Sequence, residues 1–86
     1  MTIPPADIEA AILRLVGEAP AGKTIDPGLT ARAVKPDERW HVLMPAVRRA
    51  AVALAEAGRI AIYRKGKPVD PADFKGVYRL GLPPQD

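Results

Sequence analysis

The sequence lacks most of the side chains from which catalytic and metal sites are built. Its 86 residues contain no cysteine, which excludes disulfides and thiolate metal ligands. Serine and asparagine are also absent and His41 is the only histidine, so nucleophile-and-base catalysis would have to use threonine or a carboxylate. Asp70 and Asp73 form a close pair of acidic residues, but both are typical of a turn beside Pro71 and do not indicate a catalytic pair of carboxylates. We therefore expect a protein that is not an enzyme and holds neither metal nor cofactor.

Long apolar runs and a phosphate loop are also missing. No apolar run approaches the roughly 20 residues needed to span a bilayer, and residues 1–5 lack the basic start and apolar run of a signal peptide. Residues 22–24 read Gly-Lys-Thr but lack the earlier glycine of a nucleotide-binding loop. We expect a cytoplasmic protein with no membrane partner and no small-molecule substrate. Its length predicts one domain over residues 1–86, with an ordered core from about 5 to 82.

The first half of the chain has the apolar spacing of two helices. A helix is predicted over residues 7–16, with Val16 at the margin of a buried face made by Ile8, Ala11, Ile12 and Leu15. Asp26 and Pro27 suit the start of a second, short helix that ends before Pro36. Leu29 and Ala33 are expected to face the core from it. Residues 24–25 suit one additional short strand.

A third helix is predicted from about residue 37 to about residue 57. Its buried stripe contains Trp40, Leu43, Met44, Val47, Ala51 and Leu54. Pro45 removes one N–H group near the start, so it either bends the helix or marks where the regular part begins. Gly58 ends the helix.

Two strands are predicted after Gly58. Residues 59–65 alternate between apolar and more exposed positions, and residues 77–82 alternate again with Tyr78, Leu80 and Leu82 on one side. The segment between them is too long for a tight hairpin turn, and Phe74 is expected to anchor it to the core. The predicted fold is α+β: a winged helix-turn-helix with three helices and an antiparallel ribbon of two strands, or three if residues 24–25 join it.

Six short segments of the chain together form a recognisable pattern: GKTI at residues 22–25, ARA at 31–33, W-x-x-LMP-x-VR at 40–48, AGRI at 57–60, KGKPVDP at 65–71 and YRL at 78–80. With this pattern the chain resembles a small uncharacterised bacterial family, a domain of unknown function with a winged-helix fold. The resemblance covers roughly residues 8–82, and Gly28 and Thr30 depart from the family pattern. The resemblance implies the fold and brings no established activity with it.

Positive charge is concentrated in the second half of the chain. Residues 1–44 carry five basic and six acidic side chains, whereas residues 45–86 carry eight basic and four acidic ones. A local basic patch on a winged helix favours duplex DNA as the partner, although so small an excess also serves solubility alone. The candidate contacts, in the third helix and the wing, are Arg39, Arg48, Arg49, Arg64, Lys65 and Lys67.

The outer face of the third helix favours a different interpretation. A helix that reads base edges normally presents Asn, Gln, Ser, Thr or several Arg, whereas this face presents Arg49 among small apolar groups. Four of these groups would form an exposed apolar strip: Val42, Ala46, Val52 and Ala53. Such a strip is typical of a protein-interaction or homodimer interface, although surface alanine also reflects helix propensity alone. The alternatives of DNA binding and protein association therefore stay open.

Overall fold

Three helices followed by a three-stranded antiparallel sheet make up the fold, an α+β arrangement consistent with a winged helix. The structure is a computed structural model that describes residues 3–84. The helices are α1 (Pro5–Glu18), α2 (Pro27–Val34) and α3 (Met44–Glu56), and a 3-10 turn over Trp40–Leu43 precedes α3. The strands are β1 (Ala61–Arg64), β2 (Lys67–Pro68) and β3 (Arg79–Gly81). Residues 1, 2, 85 and 86 lie outside the described range.

Helix α1 is longer than predicted and is rotated slightly about its axis. It begins at Pro5, where a proline is tolerated because the first N–H groups of a helix have no partner within it. Ile8, Ile12 and Val16 are the buried residues, so Val16 belongs to the centre of the buried face. The helix continues through Gly17 and ends at Glu18, two residues beyond the predicted end.

Helix α2 starts as predicted but buries a different face. The Gly28 N–H donates to the Asp26 carboxylate at 2.8 Å, which satisfies one of the free N–H groups at the helix start. The predicted core residues Leu29 and Ala33 are exposed, whereas Thr30 and Ala31 are fully buried. The predicted buried face of α2 is therefore wrong. Its actual buried face is made mainly of small residues: Pro27, Gly28, Thr30 and Ala31.

Gly28 and Trp40 explain why small residues face inward. The Trp40 ring lies over Gly28, with a ring carbon 3.4 Å from the position that a Cβ would take. The guanidinium of Arg32 covers the same ring at 5.0 Å from its centroid. A Cβ at position 28 would just touch the ring, so a side chain larger than alanine there would displace it. Glycine weakens the helix on intrinsic propensity, but here it leaves room for the Trp40 ring.

The third helix is regular only from Met44 onward. Pro45 lies in the first turn of α3, so it marks where the regular part begins, one of the two predicted possibilities. Four residues of α3 are buried: Val47, Ala50, Ala51 and Leu54. The other predicted core residues are half-buried. Trp40 and Leu43 lie in the 3-10 turn, which departs from the spacing of an α-helix, and Met44 is the first residue of α3.

The sheet has the order β2-β1-β3, and strand β2, which was not predicted, lies within the long connection between the two predicted strands. Arg64 pairs with Lys67, so only Lys65 and Gly66 lie between the strands in a two-residue hairpin. Strand β3 pairs with the other edge of β1, with Ile62 opposite Leu80. The predicted strand at residues 24–25 is a single bridge between Ile25 and Leu80.

The predicted inner face of the sheet is correct except at its end. Ile60, Ile62, Tyr78 and Leu80 are buried, in agreement with the alternation in the sequence. Leu82, expected on the same side, is 52% exposed. Strand β3 ends at Gly81, so the alternation of side chains no longer applies to the next residue.

The segment from β2 to β3 is held by one arginine of α3. Phe74 anchors this segment as predicted, and its ring packs edge-to-face against Tyr78 at a centroid distance of 5.2 Å. The Arg48 guanidinium lies 4.0 Å from the centroid of the Phe74 ring. Its Nη2 also donates to the Phe74 carbonyl at 2.7 Å. This contact joins residues 26 positions apart and holds the segment before β3 against α3.

We predict that Arg48→Met destabilises the fold by about 1–3 kcal/mol. Methionine keeps most of the apolar stem but removes a charge-assisted hydrogen bond and a cation–π contact. Urea denaturation of the purified protein measures the difference. Arg59→Met is the matched control, because Arg59 is exposed and its side chain has no hydrogen bond among the described residues. Equal losses in both variants would contradict the role assigned to Arg48.

We predict that Tyr78→Phe is at least as stable as the wild type at pH 7. The Tyr78 hydroxyl is buried and has no hydrogen-bond partner among the described residues. Its removal therefore costs no hydrogen bond, and stability should rise by up to about 1–2 kcal/mol. Thermal melting measures the difference, and a clear loss of stability would show that the hydroxyl is bonded.

The pH dependence gives a second test of the same substitution. Burial raises the pKa of Tyr78 above its ordinary value of 10, and the nearby Arg48 partly opposes this shift. The folded protein thus favours the protonated phenol, so this contribution is intact below pH 10 and is lost as pH rises through the folded pKa. The wild type should therefore lose more stability than the phenylalanine variant between about pH 9 and 11.

Candidate functional site

The hairpin between β1 and β2 projects two lysines from a tight turn. Lys65 and Gly66 have φ angles of +53° and +80°, and Arg64 and Lys67 form the closing pair. Positive φ at both central residues is the pattern of a type I′ turn, which matches the twist of paired strands. Lys65, Gly66 and Lys67 are all exposed. The turn therefore holds two ammonium groups at one end of the sheet.

Two other predicted DNA contacts are engaged within the chain. Arg48 holds the Phe74 segment, as described above. The Arg64 Nε donates to the Val77 carbonyl at 3.0 Å. Its Nη2 lies 3.0 Å from the position that a Cβ on Gly76 would occupy, so this glycine makes room for the guanidinium. Both arginines hold the segment between β2 and β3.

The remaining predicted basic residues, Arg39 and Arg49, are exposed in different surroundings. The Arg39 N–H donates to the Asp37 carboxylate at 2.8 Å. This hydrogen bond, together with the ion pair to Lys35 at 3.3 Å, lowers the pKa of Asp37. Arg39 thus lies beside a fixed negative charge, which weakens its attraction for an anion. Arg49 lies on α3 and lines an apolar groove.

The loop between α1 and α2 brings a further lysine to the hairpin. A groove of about 420 Å³ separates this loop from the hairpin, and its lining includes Lys23, Tyr63 and Gly66. Arg79 fixes the loop, because its Nε donates to the Thr24 hydroxyl at 2.7 Å and its Nη2 to the Thr24 carbonyl at 3.0 Å. Neither Lys23 nor Arg79 was predicted as part of the site, because the hydrogen bond that fixes this loop joins Arg79 to Thr24 across 55 positions of the sequence.

The predicted apolar strip on the third helix does not form one surface. Ala46 and Ala53 line a groove of about 420 Å³ between α1 and α3. Val52 lies about 120° around the helix from Ala46, outside this groove, and is half-buried. Val42 is 52% exposed but belongs to the preceding 3-10 turn. The groove is lined by Ile3, Pro5, Ile8, Glu9, Leu43, Ala46, Arg49, Ala50 and Ala53.

The described part of the chain contains neither a cluster of metal ligands nor a membrane-spanning helix. Within residues 3–84, no three histidine, aspartate or glutamate side chains are grouped so that they could hold a metal ion. None of the helices in the same range is long and apolar enough to cross a membrane.

Sequence comparison identifies the family of the chain. No curated protein matches the sequence. Residues 5–83, nearly the whole chain, match the family described as "Protein of unknown function (DUF3253)". This match confirms the predicted resemblance to a domain of unknown function. The chain with this lysine-tipped hairpin and its arginine-held loops therefore belongs to the DUF3253 family.

Proposed function

We propose that this protein is a non-catalytic, cytoplasmic protein that binds duplex DNA without sequence specificity. The proposed contacts are with phosphates, and the hairpin lysines Lys65 and Lys67 supply most of them. Lys23, on the neighbouring loop, adds a third cation on this side of the molecule. Arg39, which precedes the 3-10 turn, is a further exposed cation left for backbone contacts, because Arg48 is engaged with Phe74 and Arg49 lines the groove between α1 and α3.

The conformation of Lys65 is the observation that carries the proposal. Left-handed φ is uncommon for lysine, whereas asparagine and glycine adopt it more readily. A type I′ turn therefore favours Asn-Gly over the Lys-Gly found here. A lysine at this position keeps a positive charge on an exposed turn of the sheet, at some expense in stability. A backbone outlier of this kind supports a functional role.

The outer face of α3 favours non-specific binding over base readout. Its exposed residues include Pro45, Arg49, Ala53 and Glu56. Proline and alanine have no side-chain donor or acceptor for base edges, and a glutamate repels the phosphates around a groove. Contacts to the backbone need only positive charge and exposure, which the hairpin lysines have. The affinity should then depend on counterion release and fall steeply with salt.

We predict that Lys65→Glu combined with Lys67→Glu abolishes binding to random duplex DNA. Both side chains are exposed, so the melting temperature should stay unchanged. Fluorescence anisotropy with a labelled duplex, at low and moderate salt, measures the affinity. The matched control is Arg59→Glu with Lys75→Glu, which changes the net charge equally at exposed positions outside the hairpin, where neither side chain has an ion pair or hydrogen bond among the described residues.

The two variants together decide the role of the hairpin. The control variant should lose only a small part of the affinity, through the change in overall charge. Equal losses in both variants would remove the hairpin from the proposal. Failure of the wild type to bind even at low salt would refute DNA binding as a whole.

We also predict that Lys65→Asn separates stability from binding. Asparagine suits the left-handed position better, so the free energy of unfolding should rise by roughly 1 kcal/mol. The loss of one ammonium group should weaken DNA binding and make it less sensitive to salt. Urea denaturation and DNA titration of the same preparation measure both effects. Lys67→Gln, outside the left-handed position, should weaken binding with no gain in stability.

A further inference from the structure

The groove between α1 and α3 is an open apolar surface on the described part of the chain. Seven of its nine lining residues are apolar. Ile8 and Ala50 form its buried floor, whereas Leu43 and Ala46 are half-buried and Ala53 is exposed. The small side chains on α3 leave the helix backbone accessible to another helix, which favours close packing. The surface therefore suits an apolar partner.

Two opposite charges lie on the two walls of this groove. Glu9 lies on α1 and Arg49 lies on α3, and both line the groove. Among the described residues, neither side chain has an ion-pair or hydrogen-bond partner. Glu9 is half-buried and Arg49 is exposed. The groove thus carries one acid and one base that are available to a partner.

A second copy of the chain provides a matching arrangement. In a two-fold dimer the same surface meets itself, so that residue i of one subunit contacts residue j of the other, and the reverse contact also occurs. Glu9 of one subunit can then face Arg49 of the partner subunit, while its own Arg49 faces the partner's Glu9. A single symmetric contact produces two ion pairs around an apolar centre.

We propose that the protein forms a two-fold homodimer through the groove between α1 and α3, with reciprocal pairs between Glu9 and Arg49. This interface replaces the strip predicted from the sequence, keeping Ala46 and Ala53 and omitting Val42 and Val52. It also explains why α3 presents small apolar groups where a base-reading helix presents polar ones. DNA contact then rests with the hairpin, and dimerisation does not depend on it.

Sedimentation velocity over a concentration series, without DNA, tests the dimer. We expect the wild type to change from monomer to dimer as concentration rises. Glu9→Arg and Arg49→Glu, each alone, should raise the dimer dissociation constant about tenfold or more, because each places like charges opposite one another. Arg59→Glu is the control, since Arg59 does not line the groove, and it should leave the dissociation constant unchanged. Circular dichroism checks that each variant is folded.

Charge exchange gives the decisive comparison. In a heterodimer of the two single variants, both contacts between positions 9 and 49 again join side chains of opposite charge. The mixture should therefore recover the wild-type dissociation constant. The double variant Glu9→Arg, Arg49→Glu should recover it as a homodimer. A wild type that stays monomeric at every concentration overturns the proposal. A dimer that the single variants leave unchanged also overturns it, because that dimer uses another surface.

The dimer proposal and the DNA-binding proposal can be refuted independently of each other. The hairpin variant Lys65→Glu, Lys67→Glu should keep the wild-type dissociation constant of the dimer, because neither lysine lines the groove between α1 and α3. Loss of the dimer in this variant would contradict an interface at the groove.

Discussion

The contact between Arg48 and Phe74 is the interaction on which the arrangement of sheet and helices depends. Strand β3 reaches β1 only after the chain has returned from β2 through residues 69–78, which contain no regular secondary structure. Phe74 and Tyr78 bury the apolar part of this return, and Arg48 satisfies the Phe74 carbonyl from α3. A guanidinium suits the position because it stacks on an aromatic ring and donates in its own plane. The same two contacts could not come from a lysine.

Arginine and lysine have different uses in this small protein. Arg48, Arg64 and Arg79 each donate to a backbone carbonyl of a loop or strand end, at Phe74, Val77 and Thr24 respectively. Lys23, Lys65 and Lys67 remain exposed around the hairpin. Aromatic residues are scarce and there are no disulfides, so fixed arginines supply part of the loop order that a larger core would supply. The net positive charge therefore overstates the number of cations free to meet a ligand.

This division changes how the winged-helix arrangement of this chain is interpreted. The position of α3 suggests a recognition helix, but its outer surface contains a proline, small apolar groups and a groove shared with α1. Three exposed lysines instead lie at or beside the hairpin: Lys23, Lys65 and Lys67. The proposed phosphate binding by the hairpin and the proposed pairing of subunits through the groove use opposite kinds of surface, one charged and one mainly apolar. The two proposals are therefore compatible within one molecule.

The sequence alone determined the features that depend on neighbouring residues. Apolar spacing predicted three helices and two of the three strands, the cap at Asp26 followed from its place before Pro27, and Phe74 was correctly assigned to the core. The tertiary structure decided which face of α2 turns inward, because the Trp40 ring packs against Gly28. It also decided that Arg48 and Arg64 hold loops, since their partners lie 26 and 13 positions away. Periodicity carries information about neighbours on one helix or strand, but the partner of a long, flexible side chain is chosen only when distant segments pack together.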